Sequence, residues 1–155
     1  MNPSRTFLRC ITAAAVCSAT LAGHALAAGP DGAPPVPAAA TTRERAIFAV
    51  SDADPQKWNL TLGNIANAID GLGADGVEIE LVVYGPGIAM LKKDSPVADK
   101  LAAALKNGVR VAACQHSMHG YKLEPGDLAP GVGIVASGVV ELIRREHAGY
   151  AYVRS

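Results

Sequence analysis

From Arg45 onward the chain alternates two kinds of apolar pattern. Short runs of branched and small apolar residues, RAIFAVS (45–51), VEIELVVYG (77–85), VRVAAC (109–114), VGIVA (132–136) and YAYVR (150–154), predict five strands. Between them, apolar residues recur every three or four positions. Trp58, Leu62, Ile65, Ala66 and Ile69 predict a helix, opened by Asp54 as cap and Pro55 as first residue and closed at Gly71. Val97, Leu101, Ala102 and Leu105 predict a second, entered through Ser95-Pro96 and closed at Gly108. One short helical turn or loop follows Cys114. A last helix carries Val139, Leu142 and Ile143 on one face, with Ser137 as its cap and Gly149 at its end.

Strands joined by crossovers of helical length imply parallel pairing. The predicted fold is α/β in three layers, a five-stranded, mostly parallel sheet with helices on both faces. Loops that follow parallel strands gather on one edge of the sheet, where proteins of this class hold their ligands. Asp52, the turn Tyr84-Gly85-Pro86-Gly87, the segment from Cys114 to His119, and Ser137-Gly138 fall on that edge.

The first residues follow a different pattern. Arg5 and Arg9 precede an apolar stretch from Cys10 to Ala22, and Ala25-Leu26-Ala27 then supplies an A-x-A cleavage site. This predicts a signal peptide over 1–27 and a periplasmic or secreted protein. Residues 28–43, rich in Pro and Ala, predict a linker, and 44–155 the folded domain. With 155 residues, half of them hydrophobic, one domain with a real core is expected. Formal net charge is zero without a Lys/Arg run, so neither nucleic acid nor, after signal cleavage, a membrane is an expected partner.

Export also changes the cysteine count. Cys10 and Cys17 leave with the signal, so Cys114 becomes the sole thiol and no internal disulfide can form. At a strand end followed by a helical turn, a thiol meets backbone N–H groups that favour its nucleophilic thiolate. His116 and His119 are candidates to stabilise that thiolate or relay its proton. Three readings stay open on these residues. Cys114 is a reactive sulfur, or a soft-metal ligand (Cu or Zn) with His116, His119 and Met118, or a buried residue of a non-catalytic interaction domain. The spacing C-x-H-x-x-H matches no standard metal motif, and neither metal nor cofactor is expected.

Four stretches resemble the DsrE/DsrF-like family of small sulfur-relay proteins: DADPQKWNLTLGNIANAI (52–69), VVYGPGIAML (82–91), GVRVAACQHSM (108–118) and DLAPGVGIVASGVVELIRREHAGYAYV (127–153). The resemblance implies a five-stranded, mostly parallel α/β fold assembled as a homotrimer or homohexamer. It also implies a persulfide carried on a cysteine just after a central strand, which matches Cys114. The activity implied is that of a sulfurtransferase or sulfur carrier, with a donor or acceptor protein or a small thiol as partner. Some relatives place a second cysteine three residues on. Here that position is Ser117, so a C-x-x-C redox pair is ruled out.

Overall fold

A computed structural model of the chain describes residues 43–154. The leader expected over 1–27 and, except for Arg43, the linker expected over 28–43 lie outside the described residues. The strands are β1 (Glu44–Val50), β2 (Val77–Val83), β3 (Arg110–Cys114), β4 (Gly133–Val135) and β5 (Ala151–Val153). Among the described residues they form a five-stranded sheet in the order β4-β3-β2-β1-β5. Every pairing is parallel. The connecting helices are α1 (Pro55–Leu72), α2 (Ala98–Lys106), α3 (Gln115–Gly120) and α4 (Gly138–His147).

Successive strand residues point to opposite faces, which divides the apolar side chains into two cores. Phe48, Val50, Ile79, Leu81, Val83, Val111 and Ala113 meet Trp58, Leu62 and Ile65 of α1 and Leu101 of α2. Each of the large aliphatic side chains so buried stabilises the fold by roughly 1.5–3 kcal/mol. Ile47, Val82 and Ala112 face the other way, toward Tyr150 and the half-buried Leu142 of α4.

Helix ends follow local chemistry, with small shifts from expectation. Asp54 caps α1 by accepting the Gln56 N–H at 2.8 Å, and Pro55 is the first helical residue. The helix passes Gly71 and stops at Leu72, because Gly73 at φ 80° brings its N–H to the Ile69 carbonyl. Ser95-Pro96 forms a turn ahead of α2: the Ser95 carbonyl takes the Ala98 N–H at 3.0 Å, and Val97 holds the cap position. Gly108, at φ 83°, follows the end of that helix as expected. Ser137 occupies the cap position of α4 without a side-chain bond to it. Val139 and Ile143 of that helix lie outward, 51% and 49% exposed, not against the sheet.

Ionic contacts supply what the second face lacks in apolar surface. Glu80 of β2, its side chain 3% exposed, lies 2.6 Å from Arg110 Nη2 and 2.8 Å from Arg145 Nε of α4. The same Arg145 nitrogen bonds Glu141 at 2.7 Å. The Tyr150 hydroxyl donates to Glu78 and accepts from Arg110, while its ring lies under the Arg45 and Arg145 guanidinium groups. The C-terminal half of α4 is thereby fixed to the sheet, and its first turn falls over the end of β3.

The two carboxylates respond oppositely to this setting. Burial pushes Glu80 above the ordinary glutamate value of 4.5 in spite of both arginines. The Tyr150 hydrogen bond holds the more exposed Glu78 below it. Glu78 therefore contributes stability that is present above 4.5 and lost as pH falls through its lowered pKa. Glu80 contributes stability that is present below 4.5 and lost as pH rises through its raised pKa. In urea unfolding, Glu78→Gln is expected to cost more at neutral pH than below pH 4.5. Glu80→Gln is expected to show the reverse.

Candidate functional site

β3 ends at Cys114, the residue from which α3 starts. Its side chain is buried, at 5% exposure, and it is a free thiol. Three elements converge on it. After β2 the chain enters a 3-10 helix, Gly85–Leu91, whose first residue has φ +55°, a conformation that glycine adopts without a Cβ clash. The Gly85 N–H donates to Ser117 Oγ at 2.7 Å, and the Ser117 hydroxyl acts on the charged form of the Cys114 sulfur. From the other side α4 begins at Gly138. A Cβ placed there would stand 3.0 Å from Tyr84 Cβ, 3.3 Å from Val82 Cγ1 and 3.4 Å from Cys114 Cβ. A side chain there would be tight, so the absence of one favours a helix start this near the thiol.

The neutral thiol makes no conventional capping bond to α3. The backbone amides of Gly138, Ser117 and His116 nevertheless favour its charged form. Burial raises the thiol pKa, but the Ser117 hydroxyl and these three amides together exceed that effect. The net result is a thiol below its ordinary value of 9.0. A larger thiolate fraction at neutral pH follows, and the thiolate is the form that attacks sulfur.

His116 and His119 both lie exposed on α3, while Met118 between them turns inward to 2% exposure and joins the larger core. The His116 contribution to the sulfur comes from its backbone amide. The His119 side chain lines a groove of about 180 Å³ with Gln115, Leu123, Glu124, Pro125 and Ile134. Among the described residues no three of His, Cys, Asp and Glu are grouped to hold a metal ion. The ligand set Cys114, His116 and His119 is thus not assembled: the imidazoles face solvent and the sulfur faces inward.

Asp52 lies two strands away, at the end of β1, and bonds Lys57 at 2.7 Å. The Gly-Pro-Gly turn is a packed wall rather than an open anion cradle. The Gly87 N–H is held by the Ser51 carbonyl at 2.8 Å, and a Cβ on Gly87 would come within 3.0 Å of Val50 and Ser51 backbone atoms. Two residues gain roles that sequence reasoning did not assign. Ser117 appeared only as the place of a missing cysteine, although its offset of three from a helix-opening residue is the spacing at which caps bond. Gly138 appeared only as one of several edge residues.

A family model described as the DsrE/DsrF-like family matches residues 44–154. Among solved structures, the protein of unknown function MTH1491 from Methanobacterium thermoautotrophicum is 31% identical with a TM-score of 0.69, covering 72% of this chain and 99% of that one. The ychN protein from E. coli is 16% identical at a TM-score of 0.60, covering 74% of this chain and 100% of its own. BT1422 from Bacteroides thetaiotaomicron, of unknown function, is 13% identical at 0.61, covering 76% and 100%. The last two likenesses concern the fold alone. No curated protein matches.

The geometry predicts how the thiol responds to its neighbours. Ser117→Ala removes the hydroxyl that favours the thiolate and is expected to raise the Cys114 pKa. Gly138→Ala crowds Tyr84, Val82 and Cys114, so that these or α4 must give by a few tenths of an ångström. It is expected to raise the same pKa and to cost about 1–3 kcal/mol in urea unfolding. Alkylation rate against pH measures the first quantity in both variants, and an unmoved midpoint in both contradicts the assignment.

Proposed function

The chain belongs to the DsrE/DsrF-like family, and on that footing we propose that it is an exported sulfane-sulfur carrier working through a persulfide on Cys114. The observation that carries this reading is the buried Cys114 sulfur facing one hydroxyl and three backbone amides that favour its thiolate. In the loading step the thiolate attacks the outer sulfur of a donor persulfide, R–S–SH. A new S–S bond forms to Cys114, the donor S–S bond breaks, and its electron pair leaves on R–S⁻. In the unloading step an acceptor thiolate attacks the outer sulfur now held on Cys114. The bond to Cys114 breaks, and the Cys114 thiolate returns. No net oxidant is consumed, because the sulfane sulfur only changes bearer.

Each site residue has a part in this scheme. Ser117 and the amides of His116, Ser117 and Gly138 hold the departing Cys114 thiolate, which makes it a good leaving group. His116 and His119, exposed on α3, exchange protons with the partner thiols that arrive from solvent. The partner is a sulfur donor or acceptor protein or a small thiol. The carrier works as a homotrimer or homohexamer in the periplasm or outside the cell. Assembly is supported by apolar side chains left outward near the site: Val139, Val140 and Ile143 on α4, at 51%, 42% and 49% exposure, and Ile134 on β4 at 42%.

Incubated with polysulfide, the mature protein is expected to gain the mass of one sulfur atom, removable by a reducing thiol. The Cys114→Ser variant is expected to gain none. Equal gain in both, or none in either, contradicts the reading. Sedimentation tests the assembly: the parent protein runs as a trimer or hexamer, and Ile143→Glu shifts it toward monomer. A monomeric parent contradicts that part.

A further inference from the structure

A second polar crevice opens on the same sheet edge, away from Cys114. The chain runs outward from β1 through β2 and β3 to β4, then crosses back to place β5 on the other side of β1. The ends of β1 and β5 are therefore the topological switch point, the position at which parallel sheets leave a ligand crevice. A cavity of about 220 Å³ lies there, walled by Ser51, Asp52, Lys57, Thr61, Tyr152 and Arg154. That is below the size of typical organic-ligand pockets, and suits an ion of a few atoms.

Both cations of this crevice lie on its wall. The Lys57 ammonium bonds Asp52 at 2.7 Å, which uses one of its three N–H donors. Arg154 lies near enough to Lys57 for the two positive charges to repel. Among the described residues no carboxylate is paired with Arg154. Two cations, Lys57 and Arg154, line one small cavity whose wall carries only Asp52, with Asp54 beside Lys57, and an anion with several acceptor oxygens can bridge both cations. Thr61 is not free to reorient, since its hydroxyl donates to the Lys57 carbonyl at 2.9 Å. Ser51 ties the crevice wall to the Gly85–Leu91 helix through the Gly87 N–H.

We propose that the crevice between the ends of β1 and β5 binds a small tetrahedral oxyanion, of the sulfate, thiosulfate or phosphate type, through Lys57 and Arg154. Equilibrium dialysis of the full chain with radiolabelled sulfate, in chloride at matched ionic strength, tests it. Saturable binding is expected, displaced by thiosulfate and phosphate but not by acetate. Arg154→Gln and Lys57→Gln are each expected to weaken it about tenfold or more. Asp52→Asn, which removes the competing carboxylate, is expected to tighten it several-fold, an opposite sign that general damage to the fold does not produce. Cys114→Ser is expected to leave it unchanged, which separates this site from sulfur carriage. Absence of saturable binding, displacement by acetate as strong as by phosphate, unchanged affinity in Arg154→Gln, or weakening in Asp52→Asn overturns the proposal.

Discussion

A helix begins most readily against the last side chain of a strand where its own first residue carries no Cβ. Gly138 meets that condition over Cys114, with the space for a Cβ already bounded by Tyr84, Val82 and Cys114 at 3.0–3.4 Å. The approach sets the position of α4 across β1, β2 and β3. It also brings the Gly138 amide to the sulfur and leaves the outward apolar side of α4 beside the same site. At its other end the helix is held by Arg145 on the buried Glu80 carboxylate. Packing at one end and charge at the other fix a helix whose inward apolar side is little more than Leu142.

The sulfur pocket resolves two opposed demands. A carrier thiol benefits from burial, which limits encounters with bulk oxidants. Burial alone, however, disfavours the thiolate that the chemistry needs. Dipoles that are fixed before reaction settle the conflict, because they stabilise charge without being reorganised when it appears. Ser117 is central to this arrangement. It accepts from Gly85 and favours the charged form of Cys114, so the turn after β2 and the sulfur after β3 are coupled through one hydroxyl. Proposed sulfur carriage in this chain needs that hydroxyl rather than a second cysteine.

Much of this architecture was legible in the residue pattern. The apolar runs placed all five strands, and the spacing between them required parallel pairing, which put Cys114 on the ligand-holding edge. Asp54-Pro55 marked the start of α1 because capping depends on near neighbours alone. The last helix was less legible. Its Val139, Leu142 and Ile143 pattern reads as an inward stripe, yet the sheet beneath it is half ionic, and Glu78, Glu80 and Arg110 gave no periodic signal of their own. Contacts between residues far apart in sequence were the least legible. Nothing local in Gly138 names Cys114 as its neighbour, and nothing local in Gly85 names Ser117. His116 and His119 were conspicuous by residue type, but a six-residue helix turns their side chains outward while the sulfur faces in.

The account depends on Cys114 being held as a poised thiolate rather than as an inert buried thiol. Titrating the ultraviolet thiolate absorbance of residues 28–155 against pH measures this directly, since Cys114 is the only sulfhydryl in that stretch. The account predicts a midpoint below the ordinary thiol value of 9.0. A midpoint at or above that value would contradict it.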